Sequence, residues 1–127
     1  MSSLPSRTLV IVVDDDRGIL RGMKRLLRQH GYDTLVFSSA NAFKNHNYFE
    51  NVVCIILDVH LKDGSGIEVR HRLKAAGISV PVIYITAKDN PAVRTVALQS
   101  GCLDYLIKPF SAEALIALLK AASASPI

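Results

Sequence analysis

The residues of this chain whose types and placement could do chemistry are Asp14-Asp15-Asp16, Asp58, Thr86 and Lys108. A carboxylate can attack phosphorus and hold the phosphoryl group as an acyl phosphate, provided cationic charge neutralises the transferring oxygens. In that chemistry Asp58 is the candidate nucleophile, Lys108 the ammonium and Thr86 a hydroxyl able to hydrogen-bond an incoming oxygen. Three carboxylates in one crevice repel each other and raise the pKa of at least one unless a cation is present. Hard oxygen ligands, with no Cys or His at ligand spacing nearby, favour Mg²⁺, which binds one or two carboxylates and a phosphate oxygen while keeping several waters. Taken singly, each residue is ordinary, since Asp suits strand-ending turns and helix caps alike. Only their convergence would make a site.

That convergence depends on the elements that carry them. Residues 8–13 form a β-branched apolar run without polar alternation, as expected of a strand covered on both faces. Ile19, Leu20, Met23, Leu26 and Leu27 then recur at helical spacing, with basic residues between them and Gly31 just past the end. The pattern repeats along the chain. Strands are expected at 34–37, 52–57, 81–86 and 104–107. Ser39 should cap a short helix through about Lys44, and a helix over 66–76 should close at Gly77. Asn90-Pro91 opens a helix that stops before Gly101, and Ser111 caps a last one whose apolar stripe is Leu115, Ile116, Leu118 and Leu119. Five strands alternating with five helices predict an α/β fold, a flavodoxin-like doubly wound parallel sheet of order 2-1-3-4-5. That order opens a crevice at the carboxyl ends of the first and third strands, where Asp14, Asp15 and Asp58 would meet Thr86 and Lys108.

The rest of the sequence sets bounds. With 127 residues, the chain has room for one domain, expected over 8–121, with 1–7 as an N-terminal tail and 122–127 as a C-terminal tail or the start of a linker. The longest apolar runs are too short to cross a bilayer, and no secretory signal is visible, so the default expectation is a cytoplasmic setting without membrane contact. Net charge is +4, and Lys24, Arg25 and Arg28 fit the wet face of one helix, so direct nucleic-acid binding by this domain is not expected. Cys54 and Cys102 are expected to be buried free thiols. His30 suits a helix end and His71 a wet helix face.

Five motifs in order resemble those of response-regulator receivers of two-component systems: Val12-Val13-Asp14-Asp15-Asp16, Leu57-Asp58, Asp63-Gly64-Ser65-Gly66, Ile85-Thr86-Ala87 and Tyr105-Leu106-Ile107-Lys108-Pro109-Phe110. The resemblance covers 8 to about 121. It implies that Asp58 takes a phosphoryl group from a sensor histidine kinase. Mg²⁺ would be held by Asp15, Asp58 and the backbone carbonyl of His60, with Asp14 reaching it through water. It also implies that Lys108 contacts the phosphoryl group through a segment with a cis Lys108-Pro109 peptide. Thr86 and Tyr105 would form the switch, the hydroxyl moving toward the phosphoryl group and the ring turning inward, which changes the surface of the fourth helix, last strand and last helix. Such a domain catalyses only its own phosphorylation and slow dephosphorylation and is not otherwise an enzyme. The Phe43-containing second helix and the Lys-Pro-Phe run are similar to receivers of nitrogen-fixation-type transcription regulators, which carry a helix-turn-helix output. The resemblance therefore admits a covalently linked DNA-binding domain outside this chain and a homodimer formed on phosphorylation. Two residues depart from the family pattern. Lys62 stands where proline is commonest, and His60 is an unusual side chain beside the site.

Two other classes fit parts of the pattern. Asp14 and Asp16 imitate the Asp-x-Asp of haloacid-dehalogenase-like phosphatases, but Gly18 replaces that family's next motif residue and no late acidic pair follows Lys108. A receiver-shaped interaction module that signals without phosphorylation would not need all five site residues.

Overall fold

The computed structural model describes residues 8–124. The strands and helices alternate as β1 (Leu9–Val13), α1 (Arg17–Gln29), β2 (Asp33–Phe37), α2 (Ala40–Lys44), β3 (Val52–Asp58), β4 (His60–Leu61), β5 (Gly64–Ser65), α3 (Gly66–Ala75), β6 (Val82–Thr86), α4 (Pro91–Gln99), β7 (Asp104–Ile107) and α5 (Ala112–Ala124). The main sheet is parallel in the order β2-β1-β3-β6-β7. This is the expected 2-1-3-4-5, because β4 and β5 lie outside it as a small antiparallel pair. The segment expected to be a loop after Asp58 is thus a tight hairpin.

Sheet order follows from how the strands bury their side chains. All seven residues of β3 are buried, as a central strand with helices on both faces requires. Alternate residues point to opposite faces. Val10, Val12, Cys54, Ile56, Ile83 and Ile85 pack with Leu20, Met23 and Leu27 of α1 and Leu115, Ile116 and Leu119 of α5. Ile11, Val13, Ile55, Leu57 and Tyr84 pack with Phe43 of α2, Ile67, Val69 and Leu73 of α3 and Ala97 of α4. Fully burying an aliphatic side chain of this size contributes about 1.5–3 kcal/mol, so these two layers hold the sheet.

The caps are where the side chains allow them. Asp16 accepts the N–H groups of Gly18 and Ile19 at the start of α1, and Asn90 those of Ala92 and Val93 ahead of Pro91. Ser39 accepts the Ala42 N–H and Ser111 the Ala114 N–H. Gly31 and Gly77 leave α1 and α3 with φ of +85° and +78°, a region that costs a side chain.

Two expectations need correction. The last helix does not stop at 121: it continues to Ala124 and buries Ala122 in the α1–α5 layer, because small alanines keep the apolar face without a bulky signal. Of the tails expected at 1–7 and 122–127, residues 1–7 and 125–127 lie outside the described residues. Cys54 is fully buried, and burial pushes its thiol up to about 12, but Cys102 is only half-buried since it follows the end of α4 at the sheet margin. Among the described residues, no helix is long and apolar enough to cross a membrane. His30 places its ring Nδ1 3.0 Å from the Leu26 carbonyl at the end of α1, and His71 is exposed.

Candidate functional site

The site lies at the carboxyl ends of β1, β3 and β7. Val13 pairs with Leu57, so the residues that follow, Asp14 and Asp58, emerge side by side. The Asp14 N–H continues the ladder to the Phe37 carbonyl at 3.1 Å. On the far side, Thr86 pairs with Ile107, and the Lys108 N–H donates to the Thr86 carbonyl at 2.8 Å. The Lys108-Pro109 peptide is cis, in line with the family resemblance.

The three successive aspartates have three separate tasks. Asp14 is fully buried; its Oδ1 accepts the Asp16 N–H at 2.9 Å and its Oδ2 accepts from Lys108 Nζ at 2.7 Å. Asp15 is partly exposed, and its Oδ2 accepts the Lys62 N–H at 2.9 Å. Asp16 caps α1. Asp58 is buried, with Oδ1 accepting the His60 N–H at 2.9 Å and Oδ2 accepting from Lys108 Nζ at 3.0 Å.

Lys108 thus bridges two carboxylates from strands that are 94 and 50 residues away in sequence. Burial pushes the Asp14 carboxyl above its ordinary value; the hydrogen bonds from Lys108 and the Asp16 N–H offset this only in part, and the Asp58 charge adds to it. Burial alone would lower the Lys108 ammonium. Its bonds to Asp14 and Asp58 outweigh that and hold it above the ordinary lysine value.

Oxygen atoms of Asp14, Asp15 and Asp58 lie within 4.8 Å of one another. An all-oxygen set at this spacing, with Asp15 open to solvent, fits a hard divalent cation such as Mg²⁺. No Cys or His competes in this cluster among the described residues.

Thr86 is fully buried, but its hydroxyl is turned to its own loop, donating to the Lys88 carbonyl and accepting the Lys88 N–H, both at 3.1 Å. The hydroxyl makes no hydrogen bond to Asp58 or Lys108 among the described residues. Tyr105 has its ring already inside, 9% exposed, whereas the family comparison made inward rotation the result of switching. Tyr105 pairs in register with Tyr84 of β6 and is buried in the cluster that holds Tyr84 and Ala97 of α4.

Sequence reasoning quoted Asp63 only within a motif and gave it no task. Both its carboxylate oxygens accept N–H groups at the start of α2, from Ala40 at 2.9 Å and Asn41 at 2.8 Å. Those bonds hold its carboxyl below the ordinary range. Asp63 thereby ties the hairpin after Asp58 to the next layer, 23 residues away, and no local pattern could have shown this. Arg94 was also passed over; it reaches both Asp89 and the Tyr105 ring.

A doubly wound parallel sheet with acidic residues and a lysine at its switch-point crevice defines the class. A family model described as the response regulator receiver domain matches residues 10–120, and the chain belongs to that family. It is 32% identical over 115 residues to the response regulator protein TodT of Pseudomonas putida, spanning 91% of this chain and 51% of that one. Among solved structures, response regulator StyR matches with a TM-score of 0.84 and 31% identity, over 93% of this chain and 60% of StyR. A BeF₃-activated DrrB receiver domain matches with a TM-score of 0.78 and 28% identity, over 91% of this chain and 96% of that one. The chain thus spans about half the length of TodT.

Proposed function

We propose that Asp58 accepts a phosphoryl group from the phosphohistidine of a sensor histidine kinase, so that this receiver domain reports the kinase's state to an output. The observation that carries the reading is the single ammonium of Lys108 shared between Asp58 and Asp14, beside the open carboxylate of Asp15. An Asp58 oxygen forms the new O–P bond, the P–N bond of the donor breaks, and the departing imidazole nitrogen takes up a proton. The His60 N–H fixes one oxygen of Asp58, and Lys108 is placed to follow the negative charge onto the phosphoryl oxygens. Mg²⁺, when bound, would offset the carboxylate charges and take a phosphoryl oxygen; Asp15, Asp58, the His60 carbonyl and, through water, Asp14 are the residues that would hold it.

The arriving anion gives Thr86 a stronger acceptor than the Lys88 carbonyl, so its hydroxyl turns and the 87–90 loop follows. Behind that loop, Val96, Leu98, Leu103 and Ile107 leave apolar side chains exposed along α4 and β7. This α4–β7–α5 surface is the one that changes, toward a homodimer or a linked DNA-binding domain outside this chain, and the controlled process is transcription.

An Asp14-centred phosphatase is disfavoured by the same geometry. Asp14 is fully buried against Lys108, and Asp16, the second acid of the pair, is engaged as a helix cap. Incubation with Mg²⁺ and acetyl phosphate should add one phosphoryl group to the intact mass, lost in Asp58→Asn. Uptake that survives Asp58→Asn but requires Asp14 would overturn the reading. No uptake, with no beryllofluoride binding, would make the domain a phosphorylation-independent module.

A further inference from the structure

The two halves of the expected switch are not in register with each other. Thr86 is turned away from Asp58, bonded to Lys88, while the Tyr105 ring is inside. What accompanies the inward ring is a cation. The Arg94 guanidinium carbon lies 5.3 Å from the Tyr105 ring centroid, within the range of a cation–π contact. Arg94 is in turn held by Asp89, Nη2 to Oδ2 at 2.9 Å. Asp89 belongs to the very loop that Thr86 organises, so one side chain touches both the loop and the ring. The Tyr105 hydroxyl is buried and, among the described residues, has no partner at normal hydrogen-bond distance, although the Asp89 carboxylate and the Asn90 backbone lie near it. The contact that the geometry defines best is therefore the one to the ring face, from Arg94.

We propose that Arg94, braced by Asp89, is a positioning residue that clamps the Tyr105 ring inward before any phosphoryl group arrives. Occupation of Asp58 then moves Thr86 and the 87–90 loop without reorienting the ring. The second half of the statement rests on the Asp58 reading given above; the first does not. The clamp makes the aromatic a fixed wall of the α4–β7 surface, and leaves the position of the loop and of α4 as the variable that an output senses. Breaking the clamp should return the ring to the phosphoryl-dependent motion that the family resemblance led us to expect.

The test uses the full 127-residue chain labelled with 3-fluorotyrosine, its four tyrosine signals separated by assigning Tyr105 through Tyr105→Phe. Protection of each signal from a soluble paramagnetic relaxation agent reports burial of the ring. In the wild-type protein the Tyr105 signal should be protected to the same degree with and without Mg²⁺ and beryllofluoride, while the Thr86 methyl resonance shifts on addition. Arg94→Gln should lose that protection in the ligand-free state and regain it with beryllofluoride. Arg94→Lys, which keeps a cation, should retain most of it, an outcome that a merely structural arginine would not give. Unchanged Tyr32, Tyr48 and Tyr84 signals report that the variants are folded. An exposed Tyr105 in the ligand-free wild type, or equal protection in wild type and Arg94→Gln, overturns the clamp. If beryllofluoride leaves the Thr86 methyl unmoved, the Asp58 reading fails instead, and the ligand-free comparison of wild type with Arg94→Gln still decides the clamp.

Discussion

Gly66 sits directly over the backbone of Asp58: a Cβ at this position would press on the Asp58 carbonyl oxygen and stand 3.1 Å from the Leu57 Cβ. The Gly66 N–H donates to Val59, so the start of α3 is bonded to the same strand end that it crowds. Gly66→Ala must therefore displace the residue that carries the proposed chemistry. Overpacking of this kind costs about 1–3 kcal/mol, and acetyl phosphate uptake should fall at least as sharply as stability. Gly22→Ala is the control, because nothing lies within 4 Å of its Cβ and the gain in helix propensity is up to about 1 kcal/mol. Urea unfolding of both variants checks the pair; equal stability would show that α3 can shift away at no cost.

Lys108 and Asp14 should respond to pH in opposite senses. The folded-state pKa of Lys108 is raised above 10.5, so its stabilisation is complete below 10.5 and is lost as pH climbs through the folded value. Asp14 is a carboxyl whose folded value is raised from 3.8 by burial, so the folded state binds its proton more tightly and ionising it costs stability as pH rises through that value. Lys108→Met should lose about 3–5 kcal/mol at pH 8, by stranding two buried carboxylates, and should fall less steeply above pH 10.5. Asp14→Asn should gain stability relative to wild type as pH rises above the ordinary carboxylate range. Denaturant midpoints measured from pH 4 to 11 give both signs, and parallel curves for the two variants and wild type would contradict them.

Lys62 contributes through its backbone. Its N–H holds Asp15 Oδ2 at 2.9 Å, a bond that proline, common at this position in the family, has no hydrogen to make. Removing a hydrogen bond that orients a metal-ligating carboxylate weakens metal affinity roughly tenfold. Lys62→Pro should thus bind Mg²⁺ less tightly by about that factor, read from a Mg²⁺ titration of the His60 and Lys62-neighbouring amide signals, whereas Lys62→Ala should match wild type. Equal affinity in all three would show that Asp15 orients itself.

The buried pair Tyr84 and Ser100 anchors the end of α4. Tyr84 Oη and Ser100 Oγ are 2.7 Å apart, and Ser100 Oγ donates to the Ala97 carbonyl at 2.6 Å. Ser100→Ala leaves the Tyr84 hydroxyl buried without its partner, at a cost of about 1–3 kcal/mol. Tyr84→Phe costs less, since Ser100 keeps Ala97. The double variant should cost less than the two single losses together, as expected of groups in direct contact. A strictly additive thermal or urea series would mean that the hydroxyls do not bond in solution.

Much of this was legible along the chain. Strand and helix positions, their caps at Ser39, Asn90 and Ser111, and the meeting of Asp14, Asp15, Asp58 and Lys108 are local signals multiplied by one topological rule. Ala122 was missed because alanine carries no periodic contrast, and the β4–β5 hairpin because two-residue strands have no period at all. Thr86 and Tyr105 lie on the strands expected of them, and the partners of their side chains, Lys88 and Arg94, could not be read along the chain, since rotamers are settled by neighbours from other elements.

By itself, then, the sequence determined the order of elements, the faces they bury and the acids and lysine that end the strands, because hydrophobic period and capping are written within a few residues of where they act. Tertiary structure alone decided which acids Lys108 bridges, that Lys62 holds Asp15, and that Arg94 lies over Tyr105. Those choices are competitions among charges and donors brought together across the sheet, over separations of up to 94 residues, and their outcome depends on distance and burial that no local stretch contains.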